Sequence, residues 1–140
     1  MGGSPRTALR SILFVDDDED IRTIAHLSLT AVGGWQVRLA TSGLQAIELA
    51  VQDPPDLVIL DMMMPGMDGL ATLQRLRGDA RTSSIPVIFL TAKVQKTEVD
   101  RYRAVGAGLI AKPFDPMRLP DEIRRILPSL ATVAAAGVHD

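Results

Sequence analysis

Asp16, Asp17, Asp61, Thr91 and Lys112 are the residues of this chain whose types and spacing could do chemistry together. Each stands directly behind a short apolar run: Ile12–Val15 before Asp16-Asp17, Leu57–Leu60 before Asp61, Val87–Leu90 before Thr91, and Leu109–Ala111 before Lys112. Short apolar runs bounded by turn residues read as buried parallel strands. Ligands of open α/β sheets bind outside the carboxyl ends of such strands. The pattern therefore gathers three carboxylates, a hydroxyl and an ammonium at one edge of one sheet. Three close aspartates repel and raise one another's pKa unless a cation intervenes. Hard oxygen ligands select Mg²⁺, which keeps several waters and takes few protein carboxylates. With Lys112 as a fixed positive charge, the set has the parts for transfer of a phosphoryl group to an aspartate nucleophile. Asp16 and Asp17, adjacent at one strand end, suit a metal-holding pair. Asp61, alone at another, suits the acceptor, although position leaves that choice open.

The elements that must hold these residues alternate strand and helix. Strands are expected at Ser11–Val15, Trp35–Ala40, Leu57–Leu60, Pro86–Leu90 and Leu109–Ala111. The first helix opens on the acidic run Asp18-Glu19-Asp20, which complements its dipole. It carries Ile21, Ile24, Ala25, Ser28 and Val32 at helical spacing and stops at Gly33-Gly34. A second helix, about Gly43–Gln52, is capped by Thr41 or Ser42 and turns Leu44, Ile47 and Val51 inward. Met62–Gly69 is a loop; Asp68 caps a third helix with Leu70, Leu73 and Leu76 on one face. A fourth runs from about Gln95 to Val105. The last opens with Pro120, buries Ile123, Ile126 and Leu127, and stops at Pro128. The order predicts a doubly wound, five-stranded parallel sheet with helices on both faces. Residues 1–9 are expected to form a flexible lead, 10–128 one domain, and 129–140 a disordered tail.

Bulk properties narrow the function. The chain has 140 residues, 46% hydrophobic, with a net charge of −2 and no cysteine. It offers no basic footprint for nucleic acid, no thiolate metal site or disulfide, no secretory signal and no apolar stretch of the ~20 residues a membrane span needs. A cytoplasmic location fits.

The chain resembles a two-component response-regulator receiver domain, similar to the single-domain chemotaxis regulator, over about residues 10–128. The matching residues are Leu13-Phe14-Val15-Asp16-Asp17, Leu60-Asp61-Met62-Met63-Met64-Pro65-Gly66-Met67-Asp68-Gly69, Leu90-Thr91-Ala92 and Lys112-Pro113-Phe114. The resemblance implies a flavodoxin-like strand order 2-1-3-4-5 and phosphoryl acceptance by Asp61 from a phosphohistidine. It implies Mg²⁺ held by the carboxylates of Asp17 and Asp61 and the carbonyl of Met63, with Asp16 acting through water. Thr91 would bond one phosphoryl oxygen, Lys112 would pair with another, and Lys112-Pro113 would be cis. The implied partners are a sensor histidine kinase or histidine phosphotransfer protein and a downstream protein met on the fourth helix, fifth strand and fifth helix. The chain would act as a monomer or a weak phosphorylation-dependent dimer, alone or as the receiver portion of a larger hybrid kinase or regulator. Receiver lifetimes are set by the side chains two beyond the acceptor and two beyond the threonine. Here these are Met63 and Lys93, and Met63 orients water poorly, so a long-lived phosphoryl state is expected. Two departures stand out. Leu109 occupies the position where many receivers carry a switching aromatic residue, and Val105–Gly108 is one residue shorter than the usual connection.

Plainer readings exist for each part. Asp16–Asp18 alone would be a solvated helix start, Thr91 a strand-end residue, Lys112 a surface lysine, and the methionines adaptable packing. His26 reads as structural or exposed. Lys96, Arg101 and Arg103 read as a solvated face, and spacing leaves the direction of Tyr102 undecided. Two other functions compete with the switch. An aspartate-based phosphohydrolase would use Asp16 and Asp18, but the chain lacks room for a cap domain. A constitutive binding module would not need Asp17, Asp61, Thr91 and Lys112 together.

Overall fold

The computed structural model describes residues 9–92 and 96–127. Five parallel strands form one sheet in the order β2-β1-β3-β4-β5. They are β1 (Ser11–Val15), β2 (Gln36–Ala40), β3 (Leu57–Asp61), β4 (Val87–Thr91) and β5 (Gly108–Ala111). The helices between and after them are α1 (Glu19–Leu27), α2 (Gly43–Gln52), α3 (Gly69–Arg77), α4 (Lys96–Val105) and α5 (Leu119–Ile126). The expected α/β architecture and strand order are therefore present. β3 and β4 are buried along their whole length, which is why they read as continuous apolar runs rather than alternating ones. β2, on one edge, is only partly buried and carries Gln36 and Arg38.

Alternate residues of the strands feed two cores. Ile12, Phe14, Leu57, Ile59, Ile88, Leu90 and Ile110 meet Ala25 and Leu29 on one side and Leu119 and Ile123 of α5. Leu13, Val15, Val58, Leu60, Val87 and Phe89 meet Ala46 and Ala50 of α2 and Leu73 and Leu76 of α3. The helix starts are capped as their sequences direct. The Asp18 carboxylate accepts from the Asp20 and Ile21 amides, Ser42 caps α2 through Gln45, and Asp68 caps α3 through Ala71.

The helix faces differ from the sequence reading at two places. In α1 the residues turned to the sheet are Ala25, Ser28 and Leu29, with Ile21 partly covered. Ile24 and Val32 are more than two-fifths exposed and Leu27 more so. Small Ala25 centres the contact, so flanking Ile24 rides outward. Beyond Leu27 the helix widens into a π-helical turn, Ser28–Val32, closed by Gly33 N–H donating to Ser28 O at 3.0 Å. That i→i+5 bonding rotates Val32 off the expected face. In α2 the buried positions are Gly43, Ala46 and Ala50, Ile47 packs against the core as expected, and Leu44 is exposed. In α5 Ile123 is buried, Ile126 and Leu127 pack at the margin, and Leu127 caps the helix. Pro128, the tail 129–140, residues 1–8, Lys93 and Gln95 lie outside the described residues.

This difference between strand and helix faces has a measurable consequence. Ile59→Ala should lose about 2–5 kcal/mol of stability in urea unfolding, as a large core residue does. Ile24→Ala should lose under about 1 kcal/mol in spite of its helical spacing.

Candidate functional site

Strand register builds the site. Val15 pairs with Leu60, so Asp16 and Asp61, one residue beyond each, emerge side by side at the carboxyl edge. Asp61 pairs with Leu90 and Thr91 with Ala111. Thr91 therefore stands one step further along β4 and Lys112 one step beyond β5. The Lys112 side chain then reaches back across two strands. Its Nζ lies 3.0 Å from Asp16 Oδ2 and 3.5 Å from Asp61 Oδ1. Carboxylate oxygens of Asp16, Asp17 and Asp61 lie within 4.8 Å of one another. Asp16 and Asp61 are buried, whereas Asp17 is exposed at the mouth. Thr91 is buried beside them, and Lys112 N–H donates to its carbonyl at 2.9 Å. The five residues singled out from the sequence are thus one cluster.

The loop after β3 presses closely on Asp61. Met63 N–H donates to Asp61 Oδ1 at 3.3 Å, which places the Met63 backbone against the carboxylate while its side chain points to solvent. At Gly69 a Cβ would come within 2.9 Å of the Asp61 carbonyl, so only glycine lets α3 begin this near the end of β3. The Lys112-Pro113 bond is cis. Tyr102, undecided by spacing, packs against the core with its ring 5.8 Å from that of Phe89. His26 is partly exposed on α1, away from the acidic cluster, and Lys96, Arg101 and Arg103 are exposed.

One residue of the site was not singled out from the sequence. Arg22, in the first turns of α1, donates through Nη1 to the backbone carbonyl of Asp16 at 2.8 Å. An arginine on a helix start has no distinguishing signal until the strand end it reaches is known. Asp18 shows the reverse. Its carboxylate is engaged by the α1 amides at 2.9 and 3.3 Å and does not belong to the acidic cluster. The Asp16–Asp18 pair that a phosphohydrolase would use is therefore not assembled.

The electrostatics favour a cation. Burial, then the charge of Asp16, push the Asp61 carboxyl up from 3.8 to about 6, against the opposing pull of Lys112 and the Met63 amide. Burial draws the Lys112 ammonium down, but its hydrogen bond and charge contact with Asp16, and the charge of Asp61, outweigh this and hold it above its ordinary value. Three oxygen donors, two of them buried, with one ammonium among them from the described residues, form a hard-ligand set that fits a divalent cation such as Mg²⁺.

Comparisons with known proteins agree with this geometry. Residues 12–124 match the family model of the response regulator receiver domain. The DNA-binding dual master transcriptional regulator RpaA of Synechocystis is 36% identical over 91% of this chain and 53% of its own length. Sporulation initiation phosphotransferase F of Bacillus subtilis is 36% identical over 84% of this chain and 93% of its own. The chain spans about half the length of several curated regulators it matches. Among solved structures, the chemotaxis protein CheY4 of Vibrio cholerae superposes with a TM-score of 0.78 at 30% identity, over 86% of this chain and all of that one.

The raised Asp61 pKa sets a pH dependence. A folded pKa above the unfolded one means the folded state binds the proton more tightly. Stability from protonated Asp61 is then fully present below about pH 4 and is lost as pH rises through about 6. Asp61→Asn, neutral throughout, should gain stability over the wild type as pH rises from 4 to 7. The gain should level off at on the order of 1 kcal/mol, a few degrees in Tm, after allowance for solvent screening. Thermal melts of both proteins across that range measure it.

Proposed function

The chain belongs to the response-regulator receiver family, and on that footing we propose that it is a phosphoryl-accepting signalling switch in which Asp61 is the acceptor. The observation that carries the reading is the cluster itself, with Asp61 3.5 Å from Lys112 and within 4.8 Å of Asp16 and Asp17. In the proposed reaction an Asp61 carboxylate oxygen attacks the phosphorus of a phosphohistidine. The new P–O bond forms as the P–N bond breaks, and the electron pair leaves with the imidazole. Lys112 is placed to shift from Asp16 toward a phosphoryl oxygen and neutralise its charge. Thr91 would donate its hydroxyl to another. The carboxylates of Asp17 and Asp61 and the carbonyl of Met63 would hold Mg²⁺, with Asp16 bonded through water. When bound, the ion supplies charge neutralisation and orientation of the phosphoryl oxygens.

Receiver domains take part in signalling with histidine kinases or phosphotransfer proteins, and the donor for this chain is proposed to be one of these. The exposed apolar residues Ile24, Leu27 and Met117 lie about a groove on the α1 side. They would give such a donor an apolar foothold. Modification of Asp61 would shift a two-state equilibrium, read by a downstream protein on α4, β5 and α5. Met63, exposed beside the acceptor, would leave the phosphoryl group long-lived.

Incubation with Mg²⁺ and acetyl phosphate tests the proposal. The wild type should gain one phosphoryl group by intact mass, and Asp61→Ala should gain none. Labelling of Asp61→Ala, or labelling at Asp16, would refute it. Lys112→Ala should reduce the labelling rate by about 10²-fold or more, in the range of losing one preorganised charge at a transition state.

A further inference from the structure

Four hydrogen bonds pin Asp16. Its N–H donates to Ala40 O at 3.2 Å, Oδ1 accepts from Asp18 N–H at 2.9 Å, Oδ2 accepts from Lys112 at 3.0 Å, and its carbonyl accepts from Arg22 at 2.8 Å. Asp17 has no such support. Among the described residues, no hydrogen bond or ion pair holds its carboxylate, so the position of its Cα is what the neighbouring structure can fix. The Asp16 carbonyl belongs to the peptide unit that joins Asp16 to Asp17. Arg22 therefore holds the peptide plane from which Asp17 departs. The grip is suited to arginine, whose planar guanidinium is always charged and presents its N–H groups in a rigid fork. The strand ladder cannot supply the bond, because β1 ends at Val15.

We propose that Arg22 is a positioning residue that presets the Asp17 carboxylate for the divalent cation. The inference rests on the reading that Asp17 is a Mg²⁺ ligand. It competes with a simpler role, in which Arg22 is only a positive charge near an acidic cluster. The two roles predict opposite signs. A nearby cation repels Mg²⁺, so removing it should tighten binding. Removing a group that orients a ligand from behind should weaken it, and such losses run to 10–100-fold.

Calorimetric titration of the full chain with Mg²⁺ alone separates them. Arg22→Met keeps the aliphatic stem and loses the donor; Arg22→Gln is neutral but polar and takes over the test if Arg22→Met does not fold. Either folded variant should bind Mg²⁺ about tenfold more weakly than the wild type. Labelling by acetyl phosphate should be slowed at low Mg²⁺ and should recover as Mg²⁺ approaches saturation. Unchanged or tighter Mg²⁺ binding overturns the proposal. So does a labelling rate that stays low at saturating Mg²⁺, which would put the defect at the phosphodonor. If the wild type itself binds no Mg²⁺, or Asp17→Asn binds it as well as the wild type, the reading of Asp17 fails and this proposal with it.

Discussion

The ammonium of Lys112 is the interaction on which the site depends. Asp16 and Asp61 are almost wholly buried side by side, where two unpaired anions would force one to take up a proton. Lys112 touches both and keeps the pair tolerable, but among the described residues it is one ammonium against three clustered carboxylates. The Asp61 pKa is raised first by burial and then by the charge of Asp16. A site in this state is stable enough to fold yet favours a divalent cation. The balance also explains the topology it needs. β1 and β3 must be neighbours to bring the two carboxylates together, and β5 must lie where a long side chain can return over β4.

Most of this was legible in the sequence because burial on both faces leaves a plain mark. Runs such as Val58-Ile59-Leu60 and Ile88-Phe89-Leu90 have no polar face to interrupt them, and in a parallel sheet their ends share an edge. Register did the rest, placing Asp16, Asp61, Thr91 and Lys112 in a staircase. The element ends shifted by a residue or so, since β3 and β4 take in Asp61 and Thr91 and β5 begins at Gly108. Strand pairing counts a polar residue that hydropathy does not.

Helix faces were less legible because an amphipathic stripe says which residues are apolar, not how closely the helix approaches. In α1 and α2 the contact is made by Ala25, Ala46 and Ala50. Small residues let the helix come near the sheet, and the larger Ile24 and Leu44 beside them are left in solvent. The π-helical turn after Leu27 compounds this by changing the period partway along. Arg22 was hidden for a related reason. Its partner is a backbone carbonyl, a group common to every residue, so no side-chain pattern could point to it.

The position of Leu109 bears on how the edge could communicate outward. With no aromatic residue there, the ring contact of this region lies instead between strand and helix. Phe89 stands two residues before Thr91 on β4 and therefore shares its side of the strand. Its ring meets Tyr102 of α4 at 5.8 Å, and a Cβ on Gly106 would come within 2.8 Å of it. The missing Cβ at Gly106 is what allows the end of α4 to lie this close. A close-packed contact does not absorb small shifts. Phe89 and Tyr102 thus join β4 to α4 by direct packing, and Leu109 packs against the same core.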